Sequence, residues 1–152
     1  GGQPFQLPPG VRGAYHAAVS HAANHLVTLL TQALDVLEYA GIGDPAALIG
    51  PLTRVALEGA LGQGVGALTG PASRGDAGTL ETHIEALRAY AAGRGALVDP
   101  DVAVDSAGTA ALDTVASYRQ LAAATIRAAE RDGRVSPAQA AASLEALNGA
   151  PS

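Results

Sequence analysis

His16, Ser20 and Asn24 follow one another at intervals of four. On a helix that spacing stacks them up one side, about 6 Å from one to the next. An imidazole titrates near neutral pH, and an aligned carboxamide beside it can orient a substrate carbonyl while the imidazole polarises or protonates it. His16 is therefore a candidate proton donor, Asn24 a candidate orienting group and Ser20 a substrate contact. The same ladder also suits the wet side of an ordinary amphipathic helix. His21 and His25 form a second pair with the i, i+4 spacing that can hold a metal. No HExxH pattern and no third ligand accompany them, so they read as a surface pair and no metal site is assigned. Farther along, Thr69-Gly70-Pro71-Ala72-Ser73-Arg74-Gly75-Asp76 makes a compact turn with one cation and one acid. Asp76 can cap the helix that follows, with Arg74 solvated or paired to it. In the functional reading, Arg74, with Thr69 beside it, meets an anionic group. Glu81 and Glu85 belong to the first turns of that helix, where its dipole favours acids.

Composition removes several other chemistries. All nine basic residues are arginine, so a lysine Schiff base, a lysine general acid and a P-loop lysine are excluded. Cysteine is absent, which rules out disulfides and thiolate chemistry. The net charge of −5 is spread over short intervals with no basic run, which argues against nucleic acid. No apolar run approaches the ~20 residues of a membrane span, and no signal peptide is recognisable. These features point to a soluble, cytoplasmic protein with no nucleic-acid or membrane partner. Methionine is absent even at position 1, so the chain reads as a fragment or a processed product.

The elements that carry these residues follow from 35 Ala and 18 Leu against one Phe, four Tyr and no Trp. Strong helix formers dominate, and the fold class is all-α, about five helices in one bundle with a long first helix. Residues 1–10 look like a linker, with Phe5 and Leu7 alternating as in a short strand before Pro8-Pro9-Gly10. Residues 11–152 form the helical domain. A helix from about Val11 to Ala40 places Ala18, Val19, Ala22, Leu26, Leu29, Leu30, Ala33, Val36 and Leu37 on one arc. It is long enough to serve as a spine or dimer element. Asp44-Pro45 starts a second helix to about residue 61, and Asp76 or Thr79 caps a third to about Ala92. After a break at Gly93–Pro100, a fourth helix runs over about 105–131, and Ser136-Pro137 opens a fifth. Gly62-Gln63-Gly64-Val65-Gly66 is a poor dinucleotide fingerprint, because it follows a helix rather than a strand. Small-residue packing accounts for it better.

Gly1-Gly2-Gln3-Pro4-Phe5, Tyr15-His16-Ala17-Ala18 with Asn24, and Leu68-Thr69-Gly70-Pro71 through Arg74-Gly75-Asp76 together have a familiar order. They resemble the C-terminal domain, of unknown function, of bacterial Rossmann-like oxidoreductases related to ketopantoate reductase and the hydroxyacid dehydrogenase group. The resemblance implies a preceding Rossmann domain that holds NAD or NADP, with no cofactor-binding residue in this chain. It also implies a helical domain that closes the substrate cleft, pairs with its own Rossmann domain and forms a homodimer. His16 and Asn24 would then line the cleft, and Ser20, Thr69 and Arg74 would serve a small carbonyl or 2-oxo acid. The lysine of true ketopantoate reductases has no counterpart here. The parent would be an enzyme and the fragment alone inactive. The alternative is a non-catalytic helical module for self-association or partner docking.

Overall fold

In a computed structural model, residues 5–94 and 106–149 are described. Among them there is no strand, and the fold is all-α. Five longer helices make up most of the described residues: α1 Arg12–Tyr39, α2 Pro45–Gln63, α4 Ala77–Gly93, α5 Ser106–Arg131 and α6 Pro137–Asn148. Between α2 and α4 lie a 3-10 turn at Gly64–Ala67 and a single helical turn, α3, at Pro71–Arg74. The expected compact turn at residues 69–76 thus contains a piece of helix, started by Pro71 and closed by Gly75 in the left-handed region at φ 70°. The Gly1–Pro4 segment and most of the Gly93–Pro100 break lie outside the described residues.

Capping sets the starts where short polar residues announced them. Asp44 accepts from the amide of Ala47 at 3.0 Å, and Asp76 accepts from the amide of Thr79 at 3.1 Å. Ser136 and Gln139 close a full capping box on α6.

The core is built from α4, α5 and α6. Leu80 and Ile84 of α4 pack with Ala122, Ile126 and Ala129 of α5, against Val135 and with Ala140, Ala146 and Leu147 of α6. A smaller cluster joins Tyr90, Ala91 and Ala111, with Val36 of α1 against it. The end of α1 is fixed there. Tyr39 stands edge-on to Tyr90 at 5.3 Å, and Arg94 lies 5.8 Å from both ring centres. Gly93 lets the Tyr39 ring approach, since a Cβ there would collide with it.

Two expectations change. Phe5 and Leu7 form no strand; residues 5–10 are irregular and exposed, with no strand to pair with among the described residues. The apolar arc of α1 is not a core face along its length. Residues 12–29 are exposed apart from Ser20 and Leu26, which are half-buried, and no residue of α1 is fully buried. α2 goes further, for only Pro45 at its start is buried. Leu52 and Val55 are 70% exposed and Leu61 81%. Nothing among the described residues covers the first half of α1 or most of α2.

Candidate functional site

The polar ladder of α1 lies on its exposed first half. Asn24 donates to the Ser20 hydroxyl at 3.3 Å, and the Thr28 hydroxyl donates to the Asn24 carbonyl at 3.3 Å. His16 is exposed and tilts against Tyr15, with 5.5 Å between ring centres. It has no hydrogen-bond partner among the described residues. Ser20 and Asn24 are thus brought together, and His16 stands one turn below them. His21 and His25 meet through their Nδ1 atoms at 2.8 Å. No group of three or more metal-ligating side chains forms among the described residues.

Thr69 and Arg74 share a second place. They line an open cavity of about 350 Å3 with Leu68, Ser73 and Arg134. Its shape comes from a chain of short bonds. The buried Ser73 hydroxyl donates to the Gly70 carbonyl at 3.0 Å, holding the turn of α3. Arg134 donates to the carbonyls of Leu68 and Gly66, both at 2.9 Å, and pairs with Asp132 at 2.8 Å. Its guanidinium is consumed in fixing residues 66–68. Arg74 forms no ion pair among the described residues, so it is the cation a ligand would meet. The neighbouring Asp76 carboxyl is held below its usual range, first by the Thr79 hydroxyl, then by the Thr79 amide, with Arg74 and His83 contributing less.

A second, larger concavity was not anticipated from sequence. A groove of about 680 Å3 runs between the second half of α1, residues 68–72, α4 and α5. Its apolar lining includes Leu29, Val36, Leu87 and Leu121. His83 and Tyr118 meet inside it, imidazole Nδ1 to phenol oxygen at 2.7 Å. Burial pushes the Tyr118 hydroxyl above its ordinary value. A faint sequence signal exists. His83 interrupts the Leu80, Ile84 and Leu87 stripe of α4, and Tyr118 sits between Val115 and Leu121 on α5. A polar ring within an apolar stripe on each of two helices is a pair in waiting, but spacing cannot say that the two stripes face each other.

Leu68 and Thr69 line both the groove and the arginine cavity, which makes these neighbours. The His16 ladder is elsewhere. The first α1 residue at the groove is Leu29, roughly 20 Å along the axis beyond His16. No residue of the His16 ladder lines either cavity.

The glycines at 62–66 do not form a Rossmann-type turn. Gly62 and Gln63 finish α2, and Gly64–Ala67 form the 3-10 turn. Pyrophosphate binding needs a glycine turn between a strand and a helix N-terminus, and here a helix precedes the glycines. No described helix is long and apolar enough to cross a membrane.

No curated protein and no solved structure matches the chain. A family model does match over residues 1–125, from the first residue through most of α5. That span takes in the His16 ladder, Thr69 and Arg74 of the arginine cavity and the His83–Tyr118 pair, while Arg134 of the cavity lies beyond it. The chain belongs to the family described as Domain of unknown function (DUF2520).

Proposed function

We propose that this chain is the helical substrate-binding and dimerisation domain of an NAD(P)-dependent oxidoreductase acting on a small carbonyl or 2-oxo acid. The observation that supports this best is the uncovered first half of α1, which carries His16, Ser20 and Asn24 on a surface with room for another domain. The likeness of the Tyr15-His16-Ala17-Ala18 and Leu68-Thr69-Gly70-Pro71 segments to Rossmann-like reductases supplies the reaction class. In this reading a separate Rossmann domain holds NAD or NADP, and the nicotinamide carries the hydride. His16 donates the proton to the carbonyl oxygen, Asn24 orients that oxygen, and Ser20 fixes the Asn24 amide. Thr69 and Arg74 hold an anionic group at a cavity separate from the His16 ladder.

The test is a reductase screen of the full-length protein with NADH or NADPH and a series of 2-oxo acids. Removing a general acid costs about 10²–10⁴-fold in rate, so His16→Ala should lower kcat at least a hundredfold with little change in KM. Unchanged turnover in His16→Ala would remove His16 from the chemistry. A second reading, a non-catalytic self-association module, is favoured by one specific observation: His16 has no hydrogen-bond partner among the described residues to set its tautomer. Absence of turnover with every 2-oxo acid would favour it.

A further inference from the structure

Two features of the chain are unexplained by its own packing, and each has the shape of the other's complement. The first is α2. Apart from its contact with the following 3-10 turn, it touches the rest of the chain only lightly, at the end of α1. Its aliphatic residues point in nearly every direction, with Leu48, Leu52, Val55, Leu57 and Leu61 all exposed. A helix apolar all round is a buried helix in a folded protein. An interior proline, Pro51, and the glycines Gly50, Gly59 and Gly62 also leave it little stability of its own. The second is the groove between α1, α4 and α5. Four of its six polar side chains bond within the chain, while Thr69, at the edge shared with the arginine cavity, and Thr125 have no hydrogen-bond partner among the described residues. His83 bonds Tyr118, Gln32 donates to Ser117 at 3.2 Å, and Thr114 donates to the Ala110 carbonyl at 3.0 Å. What remains open is apolar wall about 680 Å3 in volume. Such a lining offers a polar ligand little beyond those two hydroxyls and suits an apolar helix face.

We infer that two copies of this chain exchange arms: α2 of each lies in the groove of the other. The exchange is closed by a two-fold axis, because every copy carries one arm and one groove. The area is adequate. An arm of 19 residues is roughly 28 Å long and roughly 10 Å wide, and the two reciprocal contacts together bury on the order of 1200 Å2. That reaches the lower edge of the ~1200–2000 Å2 range of specific interfaces. The groove is also free of formal charge, and α2 carries only Arg54 and Glu58, one of each sign. Neither face repels the other.

This inference rests on the dimer half of the proposed function and is independent of the reductase half. The test is the mass of the full chain by light scattering at tens of micromolar, on three samples. The wild type is expected at twice the 15.0 kDa of one chain. Leu52→Asp spoils the arm and Ala86→Trp blocks the groove; both positions are exposed in the single chain, so neither should disturb its fold. Each variant alone should be a monomer. Mixed, they should recover a dimer, because one intact arm still meets one intact groove. A wild-type monomer would overturn the exchange and the dimer together. A dimer that tolerates Ala86→Trp would overturn the exchange while leaving a dimer built on another surface. Failure of the mixture to associate even at several hundred micromolar, a concentration that allows for one contact of about 600 Å2 in place of two, would equally overturn it, provided circular dichroism shows both variants folded.

Discussion

At the scale of single residues, the side chains that decide behaviour are those whose polar atoms are satisfied or stranded. Ser143 of α6 is fully buried, and its hydroxyl has no partner among the described residues. A stranded hydroxyl costs about 1 kcal/mol or more, and alanine is also the better helix former. Ser143→Ala should therefore raise stability by about 1 kcal/mol, read as a melting temperature about 3 °C higher. A drop on substitution would mean that the hydroxyl has a partner after all. Tyr118 gives a pH dependence. Burial disfavours its phenolate, so its folded pKa lies above the ordinary 10.0. Folding holds this proton more tightly than the unfolded chain does. The associated stability is fully present below pH 10 and is lost as pH rises through the folded value. Tyr118→Phe should flatten that alkaline loss, measured by urea unfolding at a series of pH values. An identical decline in both proteins would place Tyr118 in water. The residue scale was only partly legible from the chain. Asp44, Asp76 and Ser136 announce their capping roles because a cap is a local bond, closed within three residues. The bond between His83 and Tyr118 spans 35 residues and needs two helices aligned, which no local pattern contains.

At the scale of elements, what matters is whether an apolar face finds cover inside the chain. α4, α5 and α6 do. Ile126 of α5 is fully buried among Leu80, Ile84 and Leu147, and Ile126→Ala should cost about 3 kcal/mol in chemical denaturation. A loss below 1 kcal/mol would mean the three-helix core repacks freely. α2 does not. Full burial of a Leu or Val side chain contributes about 2 kcal/mol, so the five aliphatic residues it leaves largely wet forgo on the order of 6 kcal/mol. That is comparable to the whole stability of a small domain, about 5–15 kcal/mol. Here the chain's legibility stops for a physical reason. A period of 3.6 gathers the apolar residues of α1 on one arc. It does not say whether the cover comes from the same chain, from another domain or from another copy.

At the scale of the molecule, the structure divides into a covered part and an uncovered one. The covered part is the α4–α6 core with the end of α1 fastened through Tyr39 and Tyr90. The uncovered part is the first half of α1, which presents His16 and Asn24, and the α2 arm. In one isolated chain the amides of α2 should exchange hydrogen fast and those of α4–α6 slowly, since local opening follows the density of buried contacts. Arm exchange changes that pattern in a way that depends on concentration. Two folded chains then unfold together, and mass action favours the paired state as protein is added. A tenfold rise in concentration should raise the melting temperature by about 2 °C, for an unfolding enthalpy that scales with about 300 residues. Over the same dilution series, protection should rise at α2 and at the groove, around Val36, Leu87 and Leu121, while the α4–α6 core stays as it was. The coupling of those two regions is the informative part. Protection gained at α2 alone would assign its cover to a surface other than the groove, and a melting temperature flat across the series would leave the α2 face wet.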